Sequence, residues 1–194
     1  MNTMAHNINI ESKVLSLLPD DLEGKRILDV GIGHGLWALI LRSWKRGNPY
    51  IVGVDPCEVY TRNARHVGLY DELYCQTGQQ YLVDNPGETF DIILICEVLG
   101  YLKTKKDAFS LLTGLESRLQ PGGVLILSVP DGKSNSSPHV FKCGDFTAQG
   151  YQVERIIKEG FSLGHIVGPI AKTWWTLRWG QPPATHTTVA WRHL

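Results

Sequence analysis

The chain has 194 residues, enough for one domain with a sizeable core and rather short for two. Hydrophobic residues make up 43% and charged residues 20%, a balance that excludes a disordered or fibrous protein. With 19 basic and 19 acidic residues the formal charge is zero, which argues against a protein working mainly by neutralising a nucleic-acid backbone.

Residues 8 to 18 carry Ile10, Val14, Leu17 and Leu18 at helical spacing, with Asn9 as N-cap and Pro19 as stop, so the chain is expected to open on a helix. Ile27, Leu28 and Val30 then predict a buried strand. It runs through Gly31, Gly33 and Gly35 into a helix whose inner face is Trp37, Ile40, Leu41 and Trp44. Gly47-Asn48-Pro49 breaks the chain before a second strand, Tyr50 to Val54, which ends at Asp55. Pro56 suits the first turn of the next helix, Tyr60, Ala64 and Val67 supply its inner face, and Gly68 is placed to end it.

A weaker third strand spans Glu72 to Gln76 and leads into the polar run Thr77-Gly78-Gln79-Gln80. Phe90 to Cys96 is a continuous apolar run ending at Glu97, as expected of a strand covered by helices on both sides. A helix from about Lys105 to Leu119 shows Phe109, Leu112, Leu115 and Leu119 on one face, and Gln120-Pro121-Gly122-Gly123 turns the chain into a fifth strand, Val124 to Val129. Beyond it, residues 130 to 146 read as a long loop, Tyr151 to Lys158 as a helix, and Phe161 to Val167 and Thr187 to His193 as two late strands pairing antiparallel at the sheet edge.

Strands alternating with helices imply a doubly wound α/β sheet, mostly parallel, of about seven strands with helices on both faces. One domain is expected over 1–194: a leading helix and entry segment (1–24), a ligand-binding core (25–130), and a substrate loop with edge strands and a Trp-rich segment (131–194). Ligands of such sheets bind beyond the carboxyl ends of the strands, where Gly31, Asp55, Gln79 and Glu97 are expected to meet. The cysteines Cys57, Cys75, Cys96 and Cys143 have no paired metal-ligand spacing and read as free thiols, with Cys75 and Cys96 buried in apolar runs; no metal site is expected. No leader opens the chain and no apolar run reaches the roughly 18 residues of a membrane span, which points to the cytoplasm.

The glycine turn is built to bring backbone close to a ligand and aim the first amides of a helix at it. A dinucleotide fingerprint, G-x-G-x-x-G, fails at Leu36, where a third glycine is needed for close helix packing. Asp29, two residues ahead of the turn, would repel a pyrophosphate and attract a cation. S-adenosylmethionine matches these charges better, with an ammonium for Asp29, a carboxylate for the helix amides and ribose hydroxyls for Asp55.

Asp29-Val30-Gly31-Ile32-Gly33-His34-Gly35 resembles the acidic, glycine-alternating turn of class I S-adenosylmethionine-dependent methyltransferases. Asp55, the run Phe90 to Leu99, and Leu119-Gln120-Pro121-Gly122-Gly123 match further elements of that family in order, over roughly residues 25 to 130. The resemblance implies a Rossmann-like methyltransferase fold with S-adenosylmethionine as cofactor and S-adenosylhomocysteine as product. Asp29, Gly31, Gly33 and Gly35 would hold its methionine part and Asp55 its ribose. Pro56 and Cys57 would flank the adenine, and Gly78, Gln79 and Gln80, with Cys96 and Glu97, would complete the cofactor site. Gln79 stands where the family often has an acidic residue, and Gly100-Tyr101 where many relatives have Glu-His. Asp29 as a cap of an empty turn, Asp55 as the N-cap of its helix and Glu97 as a solvated loop residue are the competing structural readings.

Oxygen acceptors usually need a base, and His139 is the leading candidate, followed by Tyr101 and Asp131; His34 is better placed to shape the cofactor pocket. The segment Ile170 to Trp179 holds Trp174, Trp175 and Trp179 and reads as a packed helix, an acceptor wall, a homodimer contact or a membrane-surface anchor. A small-molecule acceptor leads, because little sequence is left over for macromolecular recognition. Methylation of nucleic acid or protein, a non-catalytic cofactor-binding or partner-binding relative, and last a dehydrogenase stay open as alternatives.

Overall fold

The apolar run Phe90–Cys96 (β4) lies at the centre of a seven-stranded sheet in the computed structural model, which describes residues 11–131, 140–158 and 185–193. The other strands are β1 (Arg26–Val30), β2 (Tyr50–Val54), β3 (Glu72–Tyr74), β5 (Leu119–Asp131), β6 (Gln152–Lys158) and β7 (Thr185–His193), in the order β3-β2-β1-β4-β5-β7-β6. The first five pair in parallel and β7 is antiparallel to both of its neighbours. Register opposes Asp29 to Gly53 on one side and to Leu94 on the other, so β1, β2 and β4 end close together.

Helix α1 (11–16) precedes β1, and α2 (Leu36–Trp44), α3 (Glu58–Val67), α4 (Gly78–Asp84), α5 (Lys105–Glu116) and α6 (Cys143–Thr147) lie between successive strands. Alternate residues of the sheet feed two cores. Leu28, Val30, Ile93 and Leu125 pack with α5, Phe141 and Phe146, whereas Ile27, Ile51, Ile92 and Ile126 pack with α1 and α2. This is the burial expected of a parallel sheet covered on both faces. Thr104 opens α5 with a capping box, its hydroxyl accepting the Asp107 amide while the Asp107 carboxylate accepts the Thr104 amide.

Several expectations need correction. The helix expected over Tyr151 to Lys158 is replaced by strand β6, Gln152–Lys158: Ile156 opposes Thr187 and Val153 opposes Ala190, so pairing with β7 overrides helical propensity. The late antiparallel pair is therefore β6 with β7, and the expected strand Phe161 to Val167 lies outside the described residues, as do the Trp174, Trp175 and Trp179 segment, His139, Asn9 and Ile10. Trp44 is 60% exposed and Val67 is 65% exposed, each being the final residue of its helix, whereas Trp37 and Ala64 earlier on the same helices are buried. Helix α5 stops at Glu116, and Gln120-Pro121-Gly122-Gly123 belongs to β5, where a register shift between Phe90 and Ile92 and the left-handed Gly122 absorb the expected turn as an irregularity. Helix α3 starts at Glu58 with Cys57 as N-cap, two residues beyond Pro56, and the polar run at Gly78 opens a helix, α4. Cys75 is exposed, past the end of the short β3, while Cys96 is buried.

Candidate cofactor site

The turn between β1 and α2 is held in a conformation that three glycines make accessible. Gly31, Gly33 and Gly35 have φ of 79°, 50° and 79°, the left-handed region that side chains with a Cβ rarely adopt. Gly31 has a second constraint, since a Cβ there would lie 2.2 Å from Val98 Cγ2. Its amide donates to the Val54 carbonyl at 2.7 Å, tying the turn to the end of β2. A Cβ at Gly33 would meet nothing within 4 Å, so open space lies against the middle of the turn. Gly35 is the N-cap of α2 and offers no side-chain cap. The first amides of that helix carry the partial positive charge that suits an anion.

Asp55 follows β2 and reaches across to this turn. Its Oδ2 accepts the Gly33 amide at 3.0 Å and its Oδ1 accepts the Cys57 amide at 2.8 Å. The carboxylate is therefore not the N-cap of α3; it makes an Asx-type turn leading into that helix and braces the glycine turn from the side. Each carboxylate oxygen keeps a second lone pair for a ligand hydroxyl.

Asp29 is fully buried beneath the turn. Its Oδ2 accepts the Tyr70 hydroxyl at 2.7 Å, and its Oδ1 has no hydrogen-bond partner among the described residues. Burial pushes its pKa up to about 7, the Tyr70 hydrogen bond pulls it down, and nearby Asp55 raises it further. A buried carboxylate with one oxygen left over, in a site holding a second carboxylate, is the chemistry expected where a cation binds. Asp29 as the cap of an empty turn does not describe this arrangement, because the carboxylate bonds to a side chain 41 residues away and to no turn amide.

Glu97 ends β4 with φ 61°, the sole non-glycine with positive φ among the described residues. Its amide donates to the Ser128 carbonyl at 2.8 Å and the Ser128 hydroxyl donates to its Oε1 at 3.3 Å, so the β4 exit is bound to β5 and is not a loosely solvated loop. Strain of this kind collects at functional sites. Buried Cys96 lies between Ser128 and the charge of Asp29, and burial first of all pushes its thiol up into the protonated state.

The adenine side divides. Pro56 is exposed and Cys57 half-buried next to it, while Gly78 is buried at the first turn of α4, where a Cβ would lie 3.0 Å from Val30 Cγ1. Gln79 is half-buried. Gln80 is exposed and turns its amide along its own helix to Asp84 Oδ1 at 2.7 Å. Sequence reasoning missed Gln76, whose buried Nε2 lacks a partner among the described residues at the end of β3. It also missed Tyr70, for which no local pattern was available. Tyr101, 69% exposed, lies in the short 3-10 turn Leu99–Tyr101 that follows β4, at the same edge of the sheet. The His34 ring meets Tyr60 edge-on at 4.8 Å on the outer side of the turn. Among the described residues no group of three or more His, Cys, Asp or Glu could hold a metal ion, and no helix is long and apolar enough to cross a membrane.

These features fit S-adenosylmethionine: the helix amides suit its carboxylate, the buried Asp29 its positive charge, and Asp55 its hydroxyls. The family model described as a methyltransferase domain matches residues 4–186. A ubiquinone biosynthesis O-methyltransferase of Aliivibrio fischeri is 31% identical over 111 residues, covering 55% of this chain and 44% of that protein. The chain thus aligns with less than half the length of this curated relative. The solved N-methyltransferase NodS from Bradyrhizobium japonicum superposes with a TM-score of 0.66 at 14% identity, covering 100% of this chain and 98% of that one. The same protein in complex with S-adenosyl-l-homocysteine gives a TM-score of 0.60 at 14% identity, over 97% of this chain and 87% of that one.

Proposed function

This chain belongs to the class I S-adenosylmethionine-dependent methyltransferase family, and on that premise we propose that it methylates an oxygen atom of a small molecule. The observation that carries the reading is the meeting of the Gly31–Gly35 turn, Asp55 and buried Asp29 at one edge of the sheet. The small-molecule oxygen acceptor draws its support from the ubiquinone biosynthesis O-methyltransferases among the relatives.

The bound cofactor supplies an electrophilic methyl group on a sulfonium, so the protein's own task is orientation and exclusion of water. Asp29 and the α2 amides fix the amino-acid end, and Asp55 fixes the ribose. Pro56 and Cys57 flank the base, with Gly78, Gln79 and Gln80 lining that side and Gln76 adding an amide donor. Cys96 and the strained Glu97 form the wall where β4 ends. Correct alignment alone contributes about 7–11 kcal/mol in well-oriented reactions, so a weak base is enough for a phenolic acceptor. We assign the acceptor side to Tyr101, which projects from the β4 exit, and to His139.

Transfer of labelled methyl from S-adenosylmethionine to a panel of phenols and catechols tests the reading. S-adenosylhomocysteine release that depends on one of these acceptors is the expected result. Cofactor binding without transfer to any of them, together with label appearing on RNA or protein, would replace it with the macromolecular alternative. A homodimer, left open by the sequence, is read by light scattering.

A further inference from the structure

Tyr70 stands outside every motif of the site and yet touches three of its parts. Its hydroxyl donates to Asp29 Oδ2 at 2.7 Å, and the backbone amide of Ala38, in the first turn of α2, donates to the Tyr70 hydroxyl oxygen. Its ring fills the place a side chain would take at Gly53, the β2 partner of Asp29: a Cβ there would come within 2.7 Å of Tyr70 Cδ1. The same ring lies 3.6 Å from where a Cβ would stand at Gly35, the N-cap of α2. The residue is 9% exposed and enters from the segment between α3 and β3, anchored by Arg42, whose Nε donates to the neighbouring Leu69 carbonyl at 2.7 Å.

We propose that Tyr70 is a positioning residue for the cofactor: it aligns the buried Asp29 carboxylate with the amide end of α2 and keeps that carboxylate charged under the glycine turn. The proposal rests on the cofactor reading of the preceding section. A donor hydroxyl favours the ionised form of a buried carboxylate, opposing the burial that disfavours it. The groups facing Asp29 are few. The charge of Asp55 at the end of β2 acts on Asp29, Cys96 on β4 senses the Asp29 charge, and the α2 face packed over the site, Trp37, Ala38, Ile40 and Leu41, brings no titratable side chain. Tyr70 itself stays protonated at all physiological pH, since burial and the adjacent carboxylate push its hydroxyl far upward, so it acts as a constant donor.

Calorimetric titration with S-adenosylhomocysteine between pH 6.5 and 8.5 tests this on the wild type, Tyr70→Phe, Asp29→Asn and the double variant. Wild-type binding establishes the cofactor site, and its complete absence would remove the reading on which the proposal stands. In a chain that binds, Tyr70→Phe should lose about eightfold in affinity at pH 6.5 and less than about 1.5-fold at pH 8.5, because the midpoint of Asp29 moves upward by about one unit. In the Asp29→Asn background the pH dependence of that loss should vanish. An equal loss at every pH, no loss, or the same pH-dependent loss with Asn at position 29 would overturn the proposal. Should Tyr70→Phe not fold, carbon NMR on the wild type decides: the Tyr70 Cζ resonance should shift with the same midpoint as the Asp29 carboxyl, and a flat Tyr70 resonance would sink the idea.

Discussion

Asp55 Oδ2 accepts the backbone amide of Gly33 at 3.0 Å, so the carboxylate that ends β2 pins the middle of the turn that ends β1. The residue proposed to hold the cofactor ribose is thereby also a structural brace of the turn.

Asp55→Ala is expected to act twice. Two backbone amides lose a charged acceptor, each such bond being worth about 1.5–3 kcal/mol, so chemical unfolding should show a lower midpoint. S-adenosylhomocysteine affinity should fall by about tenfold or more. Unchanged affinity in a folded variant would take Asp55 out of the site.

Gly31→Ala meets two separable penalties. The left-handed φ costs about 1–2 kcal/mol, and the new Cβ would overlap Val98 Cγ2. Adding Val98→Ala should therefore recover part of the stability and leave the backbone part in place. Full recovery in the double variant would show that φ at this position is free to relax.

Asp29 makes folding stability depend on pH in a defined direction. Its pKa is about 7 in the native chain against 3.8 unexposed to the fold, so between those values the native state binds more protons than the unfolded one. Stability then falls as pH rises from about 4 to about 7, by an amount on the order of a few kcal/mol. Asp29→Asn should flatten that slope, and wild-type minus variant stability from urea melts at pH 5, 6, 7 and 8 measures it. A difference that does not change with pH would contradict the burial of an ionisable Asp29.

Trp37 and Trp44 share one helix and should respond oppositely. Trp37→Ala removes a side chain only 8% exposed and should cost about 3–5 kcal/mol. Trp44→Ser, at 60% exposure, should stay within about 0.5 kcal/mol of wild type. Thermal melts of the pair check both.

The parallel half of the sheet was legible because β1, β2 and β4 are buried on both faces and their sequences are near-continuous apolar runs with glycine or acidic exits. The antiparallel end was not. Gln152–Lys158 alternates weakly, and only its pairing with a strand some thirty residues later makes it β structure. The glycine turn, Asp29 and Asp55 announce themselves in one dimension, since each sits at a strand end with a residue type the position requires. Tyr70, Val98 and Gln76 act through distance in space: nothing near Tyr70 in the chain reports that its hydroxyl meets a carboxylate on β1 or that its ring explains Gly53. In the same way the exposure of Trp44 and Val67 goes with their place at the very end of each helix, which helical periodicity does not encode.

The placement of β7 between β5 and β6 also orders the assembly of the sheet in time. During synthesis β6 emerges before β7, and its native partner is missing until residues 185–193 arrive to bridge it to β5. The cofactor half can close from local βαβ units, while the far edge of β5 stays open and able to pair with other chains until that last strand docks.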